Sequence, residues 1–408
     1  MSRRRDFSQC KVAIACGGTG GHFFPGLAIG QEVIRRGGQV LLLASRKGID
    51  RVAASTLPGS RIEFLPSVAL IRGQVIAFAW GLIQSLGCCL RCFSIWKPDI
   101  VLVMGGFTSV APAVAGRLLG ARVYLHEANS VPGRANRSLA GLCHGIFVGF
   151  PFVRKAFRSR AVRVSGTPVR SQFEQAIPPD CYDRLGLAAD APILLVMGGS
   201  QGARAINDLM LEIAPYLAHR HPGLQVIHLT GRHDRGSLQA LYQRLGMRHY
   251  VSEFCADTSE LVRVATAVLS RAGASSLAEY AAARVPALLV PYPQAVDDHQ
   301  KQNAMIFGDG GAAEWLDQRT LKPSFAAQVL SRLLFDRKVR RSMKEALQRW
   351  DARGAAGRIA DGLMGEWVTD RGATPAGETK GPLGRGVVYK SSSSECPENR
   401  LSRALILN

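Results

Sequence analysis

Two doubly wound α/β domains, each built on a parallel sheet, are what this sequence predicts, and three observations carry the reading. Short apolar segments recur without polar alternation, the pattern of strands buried on both faces. Longer stretches of helical period separate them, as parallel crossovers require. In both halves a strand candidate runs directly into a glycine-rich loop.

In chain order, the first half offers strands at 11–16, 40–44, 62–65, 100–104, 123–126 and 146–148. The opening MSRRRD resembles the charged start of a secretion signal, but the apolar run after it is too short and meets glycines, so it reads as the first strand. Around 166–190 Pro168, Pro178 and Pro179 interrupt any periodicity, which predicts a linker. Strands restart at 193–197, 226–229, 267–269 and 287–290. The expected division is 1–168, a linker at 169–190, a second domain at 191–370 and a tail at 371–408. That tail is rich in Gly, Ser, Thr and Pro and is expected to be disordered.

Between Arg72 and Arg91 lie 18 uncharged residues. Val75, Ala79, Leu82, Ile83, Leu86 and Leu90 form one stripe at helical period, expected to be the buried face, while Ile76 and Trp80 fall outside it. Apolar surplus between flanking arginines fits a helix resting on a membrane surface better than one spanning it.

The charge is the unusual bulk property. The 408 residues carry 51 Lys and Arg against 31 Asp and Glu, a net +20. Residues 1–170 hold 23 of the basic and 6 of the acidic groups, so the first half is strongly cationic and the second nearly neutral. A phosphorylated substrate, an anionic membrane or a nucleic acid would each explain the imbalance. Nucleic acid is the poorest fit, because aromatics are only 7% and no recognition module is present. Nine cysteines in a long chain read as reduced thiols. Cys88, Cys89 and Cys92 lack a partnering His or second pair and are read as apolar contacts rather than metal ligands.

Ligands of open parallel sheets bind beyond the carboxyl ends of the strands. There the first half places Gly17-Gly18-Thr19-Gly20-Gly21-His22, then Gly105-Gly106, then His126-Glu127-Ala128-Asn129. Consecutive glycines let backbone amides approach a phosphate, and a helix start adds a favourable dipole. A dinucleotide fingerprint fails because Phe23 takes its third glycine position, and no Gly-Lys-Ser/Thr completes a Walker loop. His22, Glu127 and Asn129 are candidates for a base and for sugar-hydroxyl ligands around one cleft. The second half offers Gly198-Gly199-Ser200-Gln201-Gly202. It also offers Gly273 before Ala274-Ser275-Ser276-Leu277-Ala278-Glu279, where a carboxylate on the second turn suits a ribose, and a polar run through Gln300.

Taken in order, GGTGGHFFPGLA, MGGF, HEANSVPGRAN, GGSQGA, SRAGASSLAE and the glutamine-rich run ending in Gln302-Asn303-Ala304 resemble the MurG family of glycosyltransferases over roughly residues 10–360. The resemblance implies a GT-B fold, two Rossmann-like domains facing across a cleft, with the last helix returning to the first domain. It implies UDP-N-acetylglucosamine as donor and lipid I, undecaprenyl-diphospho-N-acetylmuramoyl-pentapeptide, as acceptor. Transfer to the muramoyl C4 hydroxyl with inversion would give lipid II for peptidoglycan synthesis. By position, Glu279 would hold the donor ribose and Ser200 would lie near its phosphates. Ala274, Ser275, Ser276, Leu277, Ala278, Gln300, Asn129, Arg170, Thr19, Gly20 and Gly21 would complete the donor site, and Cys255 would stand where isoleucine commonly meets uracil.

Gly18, Gly20, Gly21, Gly105 and Gly106 are the expected seat of the acceptor diphosphate. His22 is the first candidate for the base and Glu127 the reserve. No Asp-x-Asp occurs in the chain, so no metal and no other cofactor is expected. The implied place is the cytoplasmic face of the bacterial inner membrane, held peripherally by the basic first domain and residues around 72–91. Other cell-wall synthesis proteins are admitted as partners, and nucleic acid is not. Two positions depart from the family pattern: Ala128 stands where glutamine is usual and Thr167 where asparagine is common.

Overall fold

Two parallel sheets organise the chain in the computed structural model, which describes residues 7–8, 10–17, 20–45, 59–66, 75–157, 161–199, 202–232, 234–255 and 257–364. The expected tail, and residues 67–74 with Arg72, lie outside the described residues. The first sheet comprises β1 (Lys11–Ala15), β2 (Gln39–Ser45), β3 (Arg61–Leu65), β4 (Ile100–Val103), β5 (Arg122–Glu127), β6 (Gly145–Val148) and β7 (Val162–Val164), in the order β3-β2-β1-β4-β5-β6-β7. The second comprises β8 (Ile193–Met197), β9 (Gln225–Leu229), β10 (His249–Ser252), β11 (Ala267–Ser270), β12 (Ala287–Leu289) and β13 (Glu314–Trp315), in the order β10-β9-β8-β11-β12-β13. Every pairing is parallel.

The central strands are where the apolar runs predicted them. Three strands were not expected, β7, β10 and β13, and all three are sheet edges. An edge strand is covered on fewer sides, so its residues are short of the continuous apolar run that marks a central one. Accordingly β10 is half-buried along its whole length, whereas β4 and β8 are fully buried.

The stretch read as a linker is packed. It holds a 3-10 turn at Ser171–Glu174 and a short helix at Cys181–Leu185, and Phe173, Cys181 and Leu187 are buried. The helix Ala355–Leu363 then crosses back to the first domain, where Ile359, Ala360 and Leu363 join the core under β1 and β4. Arg36 meets Asp361 at 2.5 Å, and the Arg358 guanidinium donates to the Ser165 carbonyl at 2.8 Å.

The helix Val75–Trp96 corrects the expected stripe. It turns Ser85, Cys89 and Phe93 inward, with Leu82 and Leu86 half-buried, while Ala79 and Ile83 face outward. Small side chains on the inner face let it approach the helix Val110–Leu118, and a helix apolar nearly all round does not announce which face docks. Ile76, Trp80 and Ile83 consequently form an exposed apolar row at i, i+4 and i+7, with Ile76 87% exposed.

His228 is fully buried between Tyr242 and Asn207, and burial lowers its pKa to about 3. The unfolded chain then binds a proton below about pH 6.5 that the folded chain refuses, so stability falls as pH drops from there toward 3. Urea unfolding between pH 6.5 and 5 is expected to show a slope smaller by up to about 1.4 kcal/mol per pH unit in His228→Asn than in the parent. Equal slopes contradict this.

Candidate active site

Both sheets reverse strand order at one point, between β1 and β4 in the first and between β8 and β11 in the second. The loops following those four strands are the glycine-bearing segments singled out in the sequence. Such reversals open a crevice in which ligands of doubly wound sheets bind. The helix Gly20–Arg35 beside the first crevice packs against the helix Ala274–Ala283 beside the second, so the two crevices face one another.

In the first domain, Gly105 and Gly106 have φ of 106° and 78°, a backbone that favours glycine. They also leave room for side chains. A Cβ at Gly105 would stand 3.2 Å from His22 Nε2 and 2.8 Å from Asn136 Nδ2, and one at Gly106 would stand 3.2 Å from His22 Cε1. His22, on the first turn of its helix, is thereby laid against the second glycine loop. Thr108 donates to the Gly17 carbonyl at 2.7 Å and ties the two loops together. Gly20 and Gly21 open the His22 helix, while Gly18 and Thr19 lie outside the described residues.

Glu127, the reserve candidate for the base, is enclosed by its own loop. Its side chain is 1% exposed and accepts four hydrogen bonds. Asn129 N–H and Nδ2 donate to Oε1 at 2.8 and 3.2 Å, and Gly133 N–H and Asn136 Nδ2 donate to Oε2 at 2.9 and 2.7 Å. Burial pushes its pKa up while those donors pull the other way. With these four bonds the carboxylate organises its own loop. Asn136, quoted in the motif but not singled out, links it to the His22–Gly105 contact.

In the second domain, Gly198 lies so close to the next turn that a Cβ there would be 2.2 Å from the Ala203 amide. The loop delivers the start of the helix Arg204–Arg220, and Ser200 within it lies outside the described residues. At the helix Ala274–Ala283, Gly273 is the cap, and Leu277 N–H already donates to its carbonyl at 3.0 Å. The amides of Ala274, Ser275 and Ser276 are therefore the ones a helix start leaves for an anion, while Leu277 turns its side chain into the core and Ala278 is buried beside it.

Glu279 is 6% exposed and receives Arg170 Nη2 at 3.2 Å. Desolvation raises its pKa and the guanidinium opposes that. Arg170 also donates to Asp257 at 3.0 Å and Thr258 at 3.1 Å, and lies 4.5 Å over the Phe24 ring from the first domain. Gln300 is turned by the Tyr292 N–H, which donates to its Oε1 at 3.0 Å. Half-buried Cys255 donates to the Asp257 carbonyl at 3.0 Å.

One residue that sequence reasoning passed over crosses between the domains. Asn303, fully buried, accepts from Ser130 N–H and Oγ at 3.0 and 2.7 Å, and donates to Asn129 Oδ1 at 3.4 Å and the Ala272 carbonyl at 3.1 Å. Its only sequence signal was membership of the glutamine-rich motif. At the rim Arg134 and Arg137 reach Asp297 at 2.7 and 3.3 Å, exposed pairs that contribute little. Phe150, Phe307 and Trp350 add an aromatic contact across the seam, the last two stacked at 4.9 Å.

Residues 12–148 match the glycosyltransferase family 28 N-terminal domain and residues 193–359 its C-terminal domain. The UDP-N-acetylglucosamine--N-acetylmuramyl-(pentapeptide) pyrophosphoryl-undecaprenol N-acetylglucosamine transferase of Syntrophotalea carbinolica is 36% identical, over 86% of this chain and 97% of its own. The transferase of the same name from Anaeromyxobacter sp. (strain K) is 33% identical over 91% and 97%. The chain belongs to the MurG family. The crystal structure of Acinetobacter baumannii MurG superposes with a TM-score of 0.63 at 28% identity, covering 87% of this chain and 99% of that one. The two sheets are thus the two halves of a GT-B fold. A putative UDP-N-acetylglucosamine 2-epimerase from Listeria monocytogenes, at 14% identity and TM-score 0.63 over 86% of this chain and 95% of its own, shares that fold alone.

Replacing Glu127 by Gln puts an amide N–H₂ among groups that are all donors. Urea denaturation is expected to show a loss of about 1–3 kcal/mol. An unaltered midpoint would mean the carboxylate does not organise the loop.

Proposed function

We propose that this chain transfers N-acetylglucosamine from UDP-N-acetylglucosamine to the C4 hydroxyl of the muramoyl sugar of lipid I, with inversion, giving lipid II for peptidoglycan synthesis. One observation carries the reading: a family 28 pair of domains brings its glycine loops, His22, Asn129 and Glu279 to facing crevices joined through Asn303.

The donor occupies the second domain. Glu279, with Arg170 favouring its ionised form, accepts from the ribose hydroxyls. The diphosphate lies at the starts of the helices Arg204–Arg220 and Ala274–Ala283, whose unpaired amides stabilise charge as UDP departs. The acceptor diphosphate takes the loops around Gly20–Gly21 and Gly105–Gly106. His22 takes the C4 proton while that oxygen attacks the anomeric carbon from the face opposite UDP, an even exchange of one bond formed for one broken. Asn129 and Gln300 orient the transferred sugar. In this reading the helix starts supply the positive potential that a metal would otherwise provide at the departing diphosphate.

The lipid acceptor sets the location. The row Ile76, Trp80 and Ile83 lies flat on the cytoplasmic face of the inner membrane, with Arg91 on the same side of the helix and the cationic first half facing anionic headgroups. That arrangement presents the first-domain loops to the membrane-borne acceptor and leaves the donor crevice to the aqueous side.

Labelled UDP-N-acetylglucosamine and a lipid I analogue test the assignment. His22→Ala is expected to lower kcat by about 10²–10⁴ with its unfolding midpoint kept, whereas Glu279→Ala raises the donor KM. EDTA leaves turnover in place. Transfer that survives both substitutions, or that needs added magnesium, defeats these roles. On vesicles, Trp80→Ser with Ile83→Ser should weaken binding about tenfold or more; equal binding removes the helix from the attachment.

A further inference from the structure

We propose that the second domain carries a separate binding site for a phosphate-bearing polyanion, in a basic concavity of about 420 Å³ between the helix Arg337–Gln348 and Arg284. It is lined by Arg284, Arg337, Arg340, Arg341 and Lys344, with Glu345 as its acidic member. The overall charge balance hides it, because the second half of the chain is nearly neutral in sum.

The helix explains the clustering. Asp336 caps it by accepting from Lys338 N–H at 2.8 Å and Val339 N–H at 3.1 Å, and Met343, Ala346 and Leu347 are buried against the core. Arg337, Arg340, Arg341 and Lys344 stand at i, i+3, i+4 and i+7, so they share one side, and like charges at that spacing repel. Glu345 offsets little of this: its pair with Arg341 spans 3.5 Å with the side chains 69% and 84% exposed.

Arg284 comes from a different element and closes the concavity. It follows the last turn of the helix Ala274–Ala283 in a left-handed conformation with φ of 55°, which aims its side chain back at the basic helix. Nη2 donates to Asp351 at 2.8 Å, and its buried Nε has no hydrogen-bond partner among the described residues. Several guanidinium forks and an ammonium converging on one hollow match the oxygens of a diphosphate or a phosphorylated headgroup, which several donors at once can grip. The ten residues of the intervening helix put this hollow about 15 Å from the Gly273 end that faces the proposed donor crevice. Neither donor nor acceptor binding uses its residues.

The test uses the full chain with UDP in excess, so that the donor crevice is occupied. Inorganic pyrophosphate is titrated calorimetrically, and sedimentation is measured with phosphatidylglycerol vesicles and with phosphatidylcholine vesicles. The comparison variant is Arg337→Gln, Arg341→Gln, Lys344→Gln, three exposed substitutions outside the transfer site. Saturable one-to-one pyrophosphate binding that weakens at least about tenfold in the variant, with unfolding midpoint and turnover kept, establishes the site for a soluble phosphate. Binding seen only on phosphatidylglycerol, and weakened likewise, establishes it for a lipid headgroup. Parent and variant behaving alike toward both probes, or no binding of either, overturns the proposal.

Discussion

The amide of Asn303 is the interaction on which the site depends. Each domain satisfies its own sheet and could bury its own core, but neither crevice alone contains both the proposed donor seat and the proposed base. Asn303 spends its oxygen on Ser130 and its N–H₂ on Asn129 and Ala272. It therefore ties the loop after β5 to the loop after β11. Buried polar groups are costly unless paired, so this bond set favours one relative placement of the two loops over neighbouring ones. The aromatic contacts of Phe150 with Phe307 and Trp350 and the returning helix Ala355–Leu363 supply apolar burial for the same placement.

Within the first domain the corresponding centre is Glu127. A buried carboxylate demands donors, and the loop from Asn129 to Asn136 folds around it to provide them. Asn129 is thereby presented to the other domain and Asn136 to the underside of Gly105. His22, lying on the same glycine loop, inherits its position from this arrangement although it touches none of the four hydrogen bonds.

Charge and apolar exposure divide the surface in a way that bulk composition conceals. The cationic first half carries the exposed row of Ile76, Trp80 and Ile83, a pairing suited to an anionic bilayer. The second half balances its charge in total yet gathers four cations on one side of a single helix.

The amino-acid sequence by itself determined the two-sheet architecture, the central strands and the glycine-bearing loops at the two crevices. Continuous apolar runs and consecutive glycines are local features with few alternatives, and motif order carried the family. Tertiary structure alone decided the edge strands β7, β10 and β13, the docked face of the helix Val75–Trp96, the enclosure of Glu127 and the bridging by Asn303. These depend on which surfaces meet, and one-dimensional periodicity does not encode that. A glutamate reads the same whether its oxygens face a cleft or its own loop. An asparagine in a polar run reads as solvated until the partner domain is in place.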